Sequence, residues 1–114
     1  MKVFNKDEYI RMCADIMGFK VIPDSDNQCF EHENHPWDVF HISDFHYDED
    51  WNEIMEVVEE IEKKFAWVNI KGCSVDITNE ISVSKTTKKM SVVYGIWCSL
   101  LKYNEFDLDE NPDQ

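Results

Sequence analysis

The chain has 114 residues, of which 24 are Asp or Glu and 11 are Lys or Arg, so its formal net charge is −13. This length fits one domain with a hydrophobic core of its own. A hydrophobic fraction of 43% and an aromatic fraction of 13% exclude a wholly disordered acidic chain. The negative charge also argues against binding to bare nucleic acid, because the phosphates would repel it.

The negative charge is concentrated in one segment. Residues 21–62 contain 14 Asp or Glu and no Lys or Arg, whereas the rest of the chain contains ten acidic and 11 basic residues. The same segment holds all four histidines, which are His32, His35, His41 and His46. We therefore expect any charge-dependent function to depend on this part of the chain.

The first third of the chain predicts one helix followed by strand fragments. Asn5 and Glu8 have the spacing of a capping box, which predicts a helix over 6–17 that ends at Gly18. Short strands are predicted at 20–22, 28–31 and 37–42, where apolar side chains alternate or lie between turn-forming residues.

The second helix has the clearest pattern. We predict Asp48 as its N-cap, and two i,i+4 pairs, Glu59–Lys63 and Glu60–Lys64, stabilise its end. Its apolar stripe consists of Trp51, Ile54, Met55, Val58, Ile61 and Phe65. At 100° per residue, the opposite face carries Glu49, Glu53, Glu56 and Glu60.

The second half of the chain predicts three short strands and a third helix. Alternating apolar residues mark strands at 66–70, 73–77 and 81–83, with turns at Lys71-Gly72 and Asn79-Glu80. Thr86 or Thr87 caps a helix that ends near residue 103. Its predicted buried stripe consists of Met90, Val93, Tyr94, Trp97, Leu100 and Leu101.

Together these elements predict an α+β fold. We expect a small antiparallel sheet of three or more strands packed against two or three helices, as a layered α/β sandwich. Residues 1–104 would form a single domain, and residues 105–114 an acidic tail that frays.

The acidic face of the second helix is the first candidate site. Together with Asp44 and Asp48, the carboxylates of Glu49, Glu53, Glu56 and Glu60 would either mimic nucleic-acid phosphates or dock on a basic protein partner, such as a nucleic-acid-handling or a defence protein. The four helical charges span about 16 Å, or one per about 5 Å, which is sparser than duplex DNA. The alternative is a solvated face without a partner.

Cys29, His32 and His35 are the second candidate, as a metal site. Thiolate and imidazole are ligands that zinc prefers, but a closed site needs four, and this spacing is not a standard zinc signature. The alternative is that the histidines are surface side chains among acids. We expect no cofactor.

The third candidate is an anion site at the start of the third helix. Backbone amides there, with Lys85, Thr86, Thr87, Lys88 and Lys89, would hold phosphate or a nucleotide. The alternative is ordinary surface lysines, or lysines that meet the acidic face of another subunit in a homo-oligomer.

Several classes of protein are disfavoured by what the sequence lacks. It has no apolar run long enough for a transmembrane helix and no apolar stretch typical of a signal peptide near its start, so we expect a cytoplasmic protein with reduced cysteines and no membrane partner. It has no Walker loop, nucleophile elbow or H-E-x-x-H motif. We therefore expect a protein that is not an enzyme.

Three blocks of the sequence resemble a known group of proteins. They are residues 12–18, the run Y-D-E-D-W-N-E-I-M-E-V-V-E-E-I-E at 47–62, and V-V-Y at 92–94 followed by L-K-Y-N-E at 101–105. These are similar to small phage and prophage proteins near the phage ABA sandwich domain. The resemblance implies a layered α/β fold, a phage setting in the host cytoplasm and no catalytic residues. The His- and acid-rich segment 24–46 is longer than in that group.

Overall fold

The computed structural model describes residues 3–65, 67–78 and 80–109, with residues 103–109 described by their backbone. It confirms an α+β protein: the described residues form three α-helices and antiparallel strands. The strands form two three-stranded sheets rather than the one sheet that we expected. The chain divides into two units, Met1–Lys64 and Phe65–Gln114. The single domain over 1–104 stays a prediction.

The first unit contains two helices and one sheet. The sheet has the strand order β1-β2-β3, and both strand pairs are antiparallel. The elements are α1 (Lys6–Ile16), β1 (Phe19–Val21), β2 (Cys29–His32), β3 (His35–His41), a short 3-10 helix (Ile42–Asp44) and α2 (Trp51–Lys64).

Both ends of α1 follow the predicted pattern. The Asn5 side chain accepts a 3.0 Å hydrogen bond from the backbone N–H of Glu8, which satisfies one of the free amides of the first turn. Gly18 follows the helix with φ +97°, a conformation that glycine adopts without steric cost. The ammonium of Lys64 donates to the carbonyl of Ile16 at 3.0 Å and complements the negative end of α1.

An aromatic cluster joins the sheet to the segment before α2. The Phe45 ring lies 4.8 Å from Phe19, 5.3 Å from Phe30 and 5.5 Å from Tyr47 between ring centroids. Phe19 also meets Phe40 edge to face at 5.1 Å. Such pairs stabilise a core beyond the area that they bury, so one face of this small sheet is covered.

Two details of α2 differ from the prediction. Its N-cap is Asp50 rather than Asp48, because the Asp50 carboxylate accepts the backbone N–H groups of Asn52 at 2.8 Å and Glu53 at 3.4 Å. The buried side chains are Ile54, Val57, Val58 and Ile61. The predicted stripe omitted Val57 and included Trp51 and Phe65, which are exposed. The buried face is therefore rotated by about 40° at 100° per residue.

The second unit is a three-stranded meander with one long helix. Its sheet has the order β4-β5-β6, and α3 packs on β5 and β6. Of the predicted residues, Ala66 and Asn79 lie outside the described residues. The elements are β4 (Val68–Lys71), β5 (Ser74–Ile77), β6 (Ile81–Ser84) and α3 (Lys88–Asp109).

The start of α3 is held by hydroxyl groups. Thr87 Oγ1 accepts the backbone N–H of Met90 at 3.1 Å, which makes Thr87 rather than Thr86 the cap. The buried Ser91 hydroxyl donates to the carbonyl of Cys73 and accepts the backbone N–H of Lys85 at 2.8 Å. These bonds fix the connection from β6 to α3 against the β4–β5 turn.

The buried side of α3 includes Gly95 and extends past the predicted stripe. A Cβ on Gly95 would lie 3.1 Å from Val75 Cγ1, so glycine permits close packing of the helix on β5. Met90 is exposed, contrary to the prediction, whereas Val92, Ile96 and Ser99 are buried. α3 continues to Asp109, beyond the predicted end near residue 103, and positions 110–114 of the predicted tail lie outside the described residues.

Across the described residues, none of the helices has both the length and the apolar character needed to cross a membrane.

Candidate partner-binding surface

The first unit carries most of the negative charge. Residues 1–64 include 17 Asp or Glu against six Lys or Arg, a net charge of −11. We call residues 24–62, which contain 14 Asp or Glu, the acidic segment. Eleven of its 14 carboxylate side chains are exposed, and the other three, on Asp48, Glu53 and Glu60, are half-buried.

Four of the six predicted partner-binding carboxylates have roles within the unit. Asp44 accepts the backbone N–H of His41 at 2.9 Å, and Glu53 accepts that of His46 at 3.0 Å. Asp48 forms an ion pair with Lys6 at 3.6 Å. Glu60 lies 4.0 Å from the Lys63 ammonium and 3.9 Å from that of Lys64. These four carboxylates therefore make contacts that stabilise the first unit.

The exposed acids on and next to α2 differ from those that were predicted. Glu49 and Glu56, the other two predicted residues, are exposed, and so are Glu59 and Glu62. Val57 belongs to the buried face of α2, so this face is rotated from the predicted one. Glu56 and Glu59 therefore lie opposite the core, and Glu53 and Glu60 lie at the edge of the outward face. The exposed carboxylates of α2 are thus Glu56, Glu59 and Glu62, and of these only Glu56 belongs to the predicted set.

The structure adds Trp37 and Val39, which the sequence reasoning did not single out. Both lie on β3 within the acidic segment, with exposed fractions of 92% and 68%. β3 is an edge strand, and five consecutive residues from His35 onward are exposed. The sequence does show Pro36-Trp37 inside an acidic, alternating run. That pattern does not reveal whether Trp37 is exposed, because exposure depends on the strand register.

The structure does not bring Cys29, His32 and His35 together as a group that could hold a metal ion. Among the described residues, which include Cys29, His32 and His35, no group of three or more His, Cys, Asp or Glu is positioned to hold a metal ion. Both ring nitrogens of His32 are engaged: Nε2 lies 3.1 Å from the Met17 carbonyl, and Nδ1 accepts the backbone N–H of Asn34 at 3.1 Å. Cys29 lies at the other end of β2, opposite His41.

Several groups of the predicted anion site contact other residues of the second unit. The Lys85 ammonium lies 4.5 Å above the Tyr94 ring, and its backbone N–H is bonded to Ser91. Thr87 caps the helix, and the Thr86 carbonyl accepts a contact from Cys73 Sγ at 3.7 Å. Lys88 and Lys89 are exposed. Lys85 and Thr87 therefore have partners within the second unit, and the anion site stays a prediction.

The cysteines are free thiols in different surroundings. Cys13 is buried, Cys29 and Cys98 are half-buried, and Cys73 is exposed. Burial raises the pKa of the Cys13 thiol well above its ordinary value. Burial also raises the pKa of Cys98, although the positive charge of Lys85 opposes that change. Neither thiol has the lowered pKa of a reactive nucleophile.

Comparisons of the chain with protein-family models, with curated proteins and with solved structures find no match.

Proposed function

We propose that this protein is a non-enzymatic binding protein that docks a basic protein partner through the acidic segment. One observation carries the proposal: residues 21–62 contain no Lys or Arg, and 11 of their 14 carboxylates are exposed. Complementary charge accelerates encounter and selects partners more than it adds affinity. The chemistry of the partner is therefore a Lys- or Arg-rich surface.

The setting of this interaction is part of the proposal. The resemblance of residues 12–18, 47–62 and 92–105 to phage and prophage proteins supports a phage-type accessory role in a host cytoplasm. A basic partner in that setting would be a nucleic-acid-handling or defence protein, whose phosphate-binding surface the carboxylates would occupy. The exposed acids of α2 are Glu56, Glu59 and Glu62, and Glu49 precedes the helix, so residues of β2 and β3 must contribute for the charge to extend further.

A matched pair of variants tests the proposal. The E56Q/E59Q variant removes two outward carboxylates from α2, whereas N69K/S82K changes the net charge equally at exposed positions of the second sheet. Immobilised protein is incubated with host lysate at low salt, and bound proteins are eluted by rising salt and identified by mass spectrometry.

We expect basic proteins to elute in a salt-dependent manner. They should leave E56Q/E59Q at lower salt than they leave N69K/S82K or the unchanged chain. Capture that does not depend on salt, or equal effects of the two variants, would contradict the proposal, because net charge alone would then explain the binding.

A further inference from the structure

The most exposed large apolar side chain of the described residues lies inside the acidic segment. Trp37 is 92% exposed, and Val39, two residues further along β3, is 68% exposed. Tryptophan is enriched among residues that dominate the energy of protein interfaces. This exposed indole on a folded strand is therefore a candidate contact residue for a partner.

The register of β3 explains why Trp37 is exposed. Phe30 of β2 pairs with Phe40 of β3, and His32 pairs with His35. Glu31 consequently lies opposite the four residues 36–39, so β3 bulges away from β2 at this point. A bulge bends the strand and redirects its side chains, and here it places Trp37 outside the aromatic cluster.

The charges around Trp37 define the chemistry of its partner. Glu31, Glu33 and Asp38 are exposed and lie within six residues of Trp37 in the β2–β3 hairpin. An indole face attracts a cation within about 6 Å, and guanidinium does this more often than ammonium. A carboxylate accepts N–H groups of the same guanidinium in charge-assisted hydrogen bonds. A hairpin that exposes both an indole and three carboxylates thus complements an arginine-rich segment.

Two other occupants fit this surface less well. A second copy of the chain would bring another unit of net charge −11 against the same carboxylates, and like charges repel. Backbone addition of a strand needs a regular edge, but Pro36 has no N–H, and the bulge interrupts β3. Recognition by side chains is the arrangement that the hairpin permits.

We propose that Trp37 is an anchor for arginine in an Arg-rich segment of the partner protein, with a guanidinium stacked on the indole and held by carboxylates of Glu31, Glu33 and Asp38. This inference rests on the proposed function and names the side chain that gives it specificity. It predicts that the protein binds Arg-rich segments more tightly than Lys-rich segments of equal charge. Net charge alone would not produce this difference in affinity.

The test uses defined peptides and the full-length protein. Binding is measured by calorimetry with a short peptide that alternates Arg and Gly, with its Lys counterpart and with its uncharged citrulline counterpart. Trp37→Leu retains an apolar side chain but removes the aromatic face. Trp67→Ala is the matched control, since Trp67 is 51% exposed in the other unit. Circular dichroism checks that each variant is folded.

We expect Trp37→Leu to weaken binding of the Arg peptide by about 3- to 30-fold, which corresponds to one cation–π contact. Trp67→Ala should leave the affinity within about twofold, and the Lys peptide should bind more weakly than the Arg peptide. Unchanged affinity of Trp37→Leu would overturn the proposal that Trp37 is an anchor. The proposed function would still be supported if capture from lysate depends on salt and E56Q/E59Q weakens it. Failure of both the peptide and the capture assay would overturn both.

Discussion

The Tyr9 hydroxyl donates a 2.8 Å hydrogen bond to the backbone carbonyl of Tyr47, 38 residues away in the chain. Tyr9 lies on α1 and is fully buried, while Tyr47 lies in the segment before α2. The bond joins the start of the unit to the acidic segment at a point where water cannot replace either partner.

Tyr9→Phe should therefore destabilise the protein by about 1–3 kcal/mol, because it leaves the Tyr47 carbonyl buried without its donor. Chemical denaturation measures the free energy of unfolding. Tyr47→Phe is the control, since it keeps the backbone carbonyl and the Tyr9 hydroxyl. Equal stability of Tyr9→Phe and the unchanged chain would show that the bond contributes nothing.

Gly18→Ala should cost more stability than Gly72→Ala. Both glycines have positive φ, +97° and +55°, and both variants carry that backbone strain. A Cβ at position 18 would also lie 2.8 Å from His32 Nε2, whereas position 72 has nothing within 4 Å. We expect a loss of about 2–4 kcal/mol for Gly18→Ala and about 1–2 kcal/mol for Gly72→Ala. Thermal unfolding of the two variants would refute this if their losses were the same.

Glu53 and Glu56 should differ in their effect on stability although both lie on α2. Glu53→Ala removes the acceptor of the His46 backbone N–H and should cost about 1 kcal/mol. Glu56→Ala removes an exposed carboxylate and should stay within about 0.5 kcal/mol. Denaturant titration of the pair checks the rotated face of α2, and the opposite ranking would contradict it.

Stability should fall at alkaline pH. Burial raises the pKa of Cys13 above its ordinary value of 9.0 and the pKa of Tyr9 above 10.0. The unfolded chain therefore releases these protons first, so the stabilisation is complete below about pH 9 and is lost as the pH rises further. Each group contributes a slope of up to about 1.4 kcal/mol per pH unit.

The measurement is the free energy of unfolding between pH 7 and about pH 11. In Cys13→Ala the contributions of Cys98 and Tyr9 remain, so stability should still fall above about pH 9, but less steeply than in the unchanged chain. The same steepness in both proteins would contradict the assignment to Cys13.

Local sequence patterns predicted most elements of the fold. The Asn5 cap, Gly18 after α1 and the alternation in β4–β6 each depend on neighbouring residues, and the structure contains all three. The cap of α2 could not be chosen in the same way, because Asp48, Glu49 and Asp50 are consecutive acids. Only the positions of the amides at 52 and 53 identify Asp50.

The candidate surface depended more on tertiary structure. By periodicity Val57 lies at the edge of the predicted apolar stripe, where it could be buried or exposed. Because it is buried, the outward face of α2 is centred away from Glu53 and Glu60. The exposure of Trp37 follows from a register shift between β2 and β3, which no local pattern specifies. His32 resembled a ligand until its contact with the Met17 carbonyl, 15 residues earlier, was known.

The most direct test of the account is a titration of the isotope-labelled protein with the peptide that alternates Arg and Gly, followed by NMR of the backbone amides and indole N–H groups. We predict that signals shift within residues 24–62, that the indole N–H of Trp37 shifts with them, and that added salt reverses both changes. Shifts confined to residues 67–102, or an absence of shifts at low salt, would contradict the claim that the acidic segment binds a basic partner.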